Sequence, residues 1–203
     1  VLREFKRWSF MQEFDAILGN VSEGNWRIAL PADCDDQNTT KSIYNFHVGK
    51  EDDLVWVDKE EWNYIISGIA YTTSASAVSV SDITITLTDS SDFNDSGSVK
   101  IGANTYSYTA NNRTTGVLTI GTSTTTNSVG EYAFQGASFG NPTYYTIFDG
   151  YIWFYPIISS VYANRNAYLD YYKKMTEIIS DADLVVLPEP TIIQYYLAWK
   201  FLL

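Results

Sequence analysis

Apolar positions along the chain follow two rhythms, and the rhythm changes with position. Over residues 1–18, Leu2, Phe5, Trp8, Met11, Phe14 and Leu18 recur every three or four residues. That is the period of a helix, and Gly19 followed by Asn20 supplies a stop. Short β-type runs come next. WRIALP at 26–31 predicts a strand closed by Pro31, and SIYNFHV at 42–48 and DLVWV at 53–57 are β-branched and aromatic. The charged GKEDD between those last two predicts a hairpin. Asp58 followed by Glu61 matches a capping box, so a helix of about two turns is expected through Ile66, ended by Gly68.

Near Tyr71 the pattern shifts. From about Ala75 to Gly136 roughly a third of the residues are Ser or Thr, and charges are sparse. Strands are predicted at 83–87, 98–102, 105–109, 117–120 and 129–134, with Asp, Asn and Gly in the turns. Alternation places Ile83, Ile85 and Leu87 on one face and Thr84, Thr86 and Thr88 on the other, which implies a small antiparallel unit with one buried face. The Ser/Thr run at 122–128 reads as an exposed loop. After Gly140 the aromatic rhythm returns. YYTIFDGYIWFYP predicts a hairpin turning at Asp149 and Gly150 in a type I′ turn. AYLDYYKK at 167–174 alternates Tyr168, Asp170 and Tyr172 as a strand. LPEPTIIQYYLAWKFLL opens a helix at Pro190, with Ile192, Ile193, Tyr196, Leu197 and Leu203 as its apolar stripe.

These elements predict an α+β fold: a mixed antiparallel β core with flanking N- and C-terminal helices and an inserted small all-β domain, sandwich- or barrel-like. The expected organisation is core 1–73, insertion 74–137 and core 138–203.

The 203 residues are 45% hydrophobic and 18% charged, a globular composition. The formal net charge of −11 argues against a simple nucleic-acid binder, which needs clustered Lys and Arg. Sixteen Tyr and six Trp suit partly buried contact surfaces and β cores alike. No apolar run approaches the roughly 18 residues of a membrane helix. The chain opens on Val1 and closes on AWKFLL, and neither end is taken as a natural terminus.

Candidate chemistry is thin. One cysteine, Cys34, rules out an internal disulfide, and together with one histidine, His47, it falls short of a zinc site. His47 lies inside an alternating strand, where a structural role is expected. Carboxylates beside Cys34 oppose thiolate formation. DCDDQNTTKSIY from Asp33 lacks the Gly and Glu of a calcium loop. DSSDFNDSG at 89–97 spaces three carboxylates that suit turn formation. No catalytic residue, cofactor or metal is expected, and the chain does not read as an enzyme.

Two groups of motifs carry a resemblance. In the outer segments these are Leu30-Pro31 with Asp33, Tyr155-Pro156, Tyr171-Tyr172 and Leu187-Pro188 ahead of the closing helix. Their order resembles the head-to-tail adaptor (connector) proteins of tailed bacteriophages, including the tubular-tail type. The match covers roughly 26–70 and 140–203 and departs at Met175, which replaces that family's usual proline or its neighbour. The insertion, with Phe93, Ser96, Gly97, Ile101, Gly102, Tyr106, Tyr108, Leu118 and Gly121, resembles a β module common in phage structural proteins.

The resemblance implies a virion protein of the neck or tail, made in the host cytoplasm. It would form a homo-oligomeric ring of twelve copies between portal and tail, with DNA passing through the lumen without sequence-specific binding and without membrane contact. Ile192, Ile193, Tyr196, Leu197, Trp199, Tyr151, Trp153 and Tyr155 are the expected interface residues, and the insertion would reach fibres or neck partners. Alternatives are a carbohydrate- or partner-binding β module of a tail-fibre or surface protein, and a hydrolase using a carboxylate pair.

Overall fold

The computed structural model describes residues 12–35, 43–49 and 53–174. The chain runs through β1 (Gln12–Val21), β2 (Arg27–Ala29), β3 (Ile43–Val48), β4 (Val55–Trp56), helix α1 (Lys59–Ile65) and β5 (Ala70–Thr73). It continues through β6 (Thr84–Thr86), β7 (Gly97–Ile101), β8 (Asn104–Asn112), β9 (Val117–Ile120) and β10 (Tyr132–Gln135). It returns through β11 (Phe139–Gly140), β12 (Tyr144–Phe148), β13 (Tyr151–Tyr155), β14 (Ile157–Ile158) and β15 (Arg165–Tyr172).

The first and last strands meet. β15 lies between β1 and β3 in an antiparallel three-stranded sheet. A second sheet has the order β2-β13-β12-β4. Its centre is the β12–β13 hairpin, turned at Asp149 and Gly150, whose φ values of 53° and 75° are those a type I′ turn needs. The two sheets pack face to face over Phe46, Val48, Leu169 and Tyr171 on one side and Tyr145, Ile147, Ile152 and Phe154 on the other. Beyond the second sheet lies another apolar layer of Trp26, Val57, Trp62, Phe134, Trp153 and Ile157. Helix α1 contributes Trp62 to it and is capped by Asp58, whose carboxylate accepts from the Glu61 N–H at 2.8 Å.

Strands β5 to β10 form a sheet of order β5-β10-β7-β8-β9-β6. Its two end strands also join beyond their named limits. The Thr88 N–H donates to the Thr73 carbonyl at 2.9 Å, the Ala75 N–H to the Thr86 carbonyl at 2.8 Å, and Ser74 bridges Leu87. The sheet therefore closes into a small barrel, which leaves no free edge for pairing with another chain. Its interior holds Ile85, Leu87, Phe93, Val99, Ile101, Tyr106, Tyr108 and Leu118. The chain enters on β5 and leaves on β10, which pair directly.

The α+β expectation is corrected to a mostly β protein. Among the described residues there are fifteen strands and a single helix of seven residues. The expected helix over 1–18 fails at 12–18, which belong to β1. That strand carries register shifts between Glu13 and Ala16 and between Ile17 and Gly19, and these bulges replace the alternation of a strand with a helix-like spacing. The closing helix predicted from Pro190 lies outside the described residues. The predicted β3–β4 hairpin is also corrected. β3 pairs with β15, whereas β4 pairs parallel to β12 in the other sheet, and the chain crosses between layers where the Leu54 N–H donates to the Phe46 carbonyl.

Candidate functional site

The barrel meets the frame around Trp26, which follows the β1 strand and precedes β2. Its ring is 1% exposed and lies edge-on to Trp153 at 4.9 Å, Tyr71 at 4.6 Å, Phe134 at 5.2 Å and Tyr132 at 5.7 Å. Two of these rings belong to β10, one to β5 and one to β13, so one side chain ties the barrel entry and exit to the frame. Next to it the Arg27 guanidinium lies over Tyr151 at 4.2 Å, Trp153 at 4.9 Å and Tyr132 at 5.3 Å. Burial raises the Tyr132 pKa, and the Arg27 charge partly offsets the rise.

A second clamp stands a few residues earlier. Glu23 Oε1 pairs with Lys100 Nζ at 2.6 Å, and that ammonium also lies 4.5 Å from the centre of the Phe139 ring. Gly24, at φ +82°, brings its backbone against Gly102, and a Cβ there would stand 3.1 Å from the Gly102 Cα and O. The barrel is thus fixed to the frame by an ion pair, a glycine contact and an aromatic cluster.

Polar side chains of the barrel, chiefly asparagines, hold its loops. The 122–128 run is not the simple exposed loop expected, because Ser123 and Asn127 are buried. Asn127 Nδ2 donates to the Ile101 carbonyl at 2.8 Å and to Glu131 Oε2 at 2.6 Å, and its Oδ1 accepts from Tyr106 Oη and from Asn104 Nδ2. The acidic 89–97 loop is held from β8. Asn111 Nδ2 donates to the carbonyls of Ser90, Phe93 and Asn94, while Arg113 donates to the Phe93 carbonyl and pairs with Asp95 at 3.1 Å. Asp89 accepts from the Ser91 N–H, and this hydrogen bond lowers its pKa. The carboxylates of this loop therefore act as turn formers and an ion-pair partner. Among the described residues no group of three or more His, Cys, Asp or Glu is arranged to hold a metal ion.

The reactive residue types are placed as follows. Cys34 is 2% exposed inside the frame core. His47 stacks on Tyr168 at 4.9 Å with an interplanar angle of 16°, and its Nε2 is 3.9 Å from Asp15 Oδ1. Asp33 Oδ1 accepts from Tyr171 Oη at 2.8 Å. Burial, with Asp33 beside it, drives the Tyr171 pKa far above its usual value. Each of these groups is engaged in packing or hydrogen bonding within the frame.

Of the expected interface residues, Tyr151, Trp153 and Tyr155 lie on β13 facing the barrel junction. Trp153 stacks on Phe148 at 4.7 Å, and Tyr155 Oη accepts from the Ser138 N–H at 2.9 Å. Trp153 is buried at that junction, while Tyr151 and Tyr155 remain partly exposed. Ile192, Ile193, Tyr196, Leu197 and Trp199 lie outside the described residues. Exposed apolar groups that sequence reading missed include Phe14 and Ile17 on β1, 62% and 63% exposed, and Tyr44 on β3. Alternation on β3 could have found Tyr44, but the β1 bulges hid the other two.

Among the described residues no helix is long and apolar enough to cross a membrane. Comparison of the chain with protein-family models, curated proteins and solved structures found no match.

Proposed function

We propose that this chain is a virion structural protein, a head-to-tail adaptor that assembles into a ring between portal and tail. Its work is assembly, with DNA passing through the lumen. The observation that carries the reading is the meeting of two motifs far apart in sequence. The Leu30-Pro31/Asp33 segment is joined to Tyr171-Tyr172 by the Tyr171–Asp33 hydrogen bond and by the Asp35 N–H, which donates to the Tyr172 carbonyl at 3.0 Å. Two of the motifs on which the resemblance rests thus belong to one joint of the frame. The clamped barrel agrees with a part that must keep a fixed orientation while bearing contacts, and the net charge of −11 suits a channel past which DNA slides. In this reading the barrel projects towards fibres or other neck proteins.

Electron microscopy of the full chain mixed with the portal protein of the same genome tests the reading. A ring-shaped oligomer seated on the portal is the expected result. A monomer that ignores the portal and binds glycans on an array would overturn it in favour of a carbohydrate-binding module.

A further inference from the structure

The three-stranded sheet buries one face on the core and leaves the other uncovered among the described residues. Register places Ile17, Tyr168 and His47 in one row across β1, β15 and β3, and Gln12 with Tyr172 in another. The Tyr44 ring rests on Tyr172 at 4.6 Å. Ile17 is 63% exposed, Phe14 stands beside it in the bulge at 62%, and Tyr44 is 45% exposed. The face is also acidic. Asp15 is well exposed, and Asp170 accepts only from the Asp15 N–H among the described contacts, while Glu13 is paired to Lys173.

The open edge of β1 is a poor template for another strand, because its two bulges and the φ of +52° at Asp15 interrupt the ladder. Side chains must therefore supply the contact, and the remaining chain has a segment of matching chemistry. Of the fourteen residues 190–203, ten are Ile, Leu, Tyr, Trp, Phe or Ala, and the sole charge is Lys200. An aromatic, aliphatic segment with one cation complements an aromatic, aliphatic face that carries the carboxylates of Asp15 and Asp170.

We propose that residues 190–203 of one copy dock on the outer face of the β1–β15–β3 sheet of the next copy. The inference rests on the ring reading above. β15 ends at this sheet, and the Lys174 N–H donates to the Asp33 carbonyl, which fixes the last described residue at the Asp33 joint of the frame. The fifteen residues 175–189 reach up to about 50 Å when extended, enough to cross to a neighbour. A segment on one side and a face on the other make a heterologous contact, the kind that closes into rings.

The test pairs Ile17→Cys with Leu197→Cys in the full chain and oxidises it gently. The expected result is a ladder of covalent multimers on a denaturing gel, with at most dimers from either single variant. A second variant, Ile17→Asp, is expected to weaken ring assembly at least about tenfold by placing a charge under the docked segment. A doubly substituted monomer of altered mobility means docking within one chain and overturns the proposal. A native-mass ring that forms no ladder and tolerates Ile17→Asp overturns the docking while leaving the adaptor reading standing. A monomer at all concentrations, with portal and without it, overturns both.

Discussion

Replacing Trp26 with Ala removes the side chain on which barrel and frame converge. The indole is 1% exposed and touches four rings edge-on, so its loss leaves a cavity between β2, β13, β5 and β10. Core Trp→Ala changes cost about 3–5 kcal/mol. With a urea dependence of about 2 kcal/mol per molar, the frame midpoint should fall by about 2 M. All six tryptophans, Trp8, Trp26, Trp56, Trp62, Trp153 and Trp199, lie outside 70–135. Tryptophan fluorescence therefore reports the frame alone, and amide exchange on β7, β8 and β9 reports the barrel separately. The barrel interior shares no residue with the cluster around Trp26. The expected outcome is a large loss in frame fluorescence stability, faster exchange at β5 and β10, and protection retained in β7–β9. Loss of protection throughout the barrel, or a frame midpoint that moves by less than about 0.5 M, would refute the picture of a self-contained barrel clamped by this residue.

Other perturbations test other joints. Gly24→Ala should lower the melting temperature and loosen the barrel on the frame, because φ +82° and the Gly102 backbone at 3.1 Å both resist a Cβ; calorimetry with limited proteolysis at 136–140 reads it. Asn127→Ala should destabilise the barrel by about 2–3 kcal/mol by leaving the Tyr106 hydroxyl and the Ile101 carbonyl without their partner, measured by amide exchange on β7 and β8. Burial pushes the Tyr145 hydroxyl up to about 12, above its unfolded value near 10. Its folded pKa being the higher, the stability it contributes is complete below pH 10 and is lost as pH rises through 12, so Tyr145→Phe should flatten the alkaline limb of a urea-stability profile.

Much of the local structure is written in short patterns. Asp149-Gly150 between aromatic runs yields the β12–β13 hairpin, Asp58 with Glu61 yields α1, and the Thr-faced strands yield the barrel sheet. Such features depend on neighbours within a few residues. What failed depends on long-range geometry. The two bulges of β1 imitate helical spacing over 12–18, and only pairing with β15, some 150 residues away, decides against it. β3 and β4 look like partners because they are adjacent, yet they join different sheets. Ile83 continues the apolar alternation of Ile85 and Leu87 but is 61% exposed, because β6 begins at Thr84. The Trp26 junction was equally hidden, since Trp26, Tyr71, Tyr132 and Trp153 are scattered over 128 residues and each alone reads as ordinary core.

The most direct test of the adaptor account is native mass spectrometry of the full chain, alone and with the portal protein of its genome. The account predicts a closed oligomer of about twelve copies, the number the resemblance implies, in at least the portal mixture. A monomeric mass under both conditions, at concentrations where the fold is intact, would contradict it.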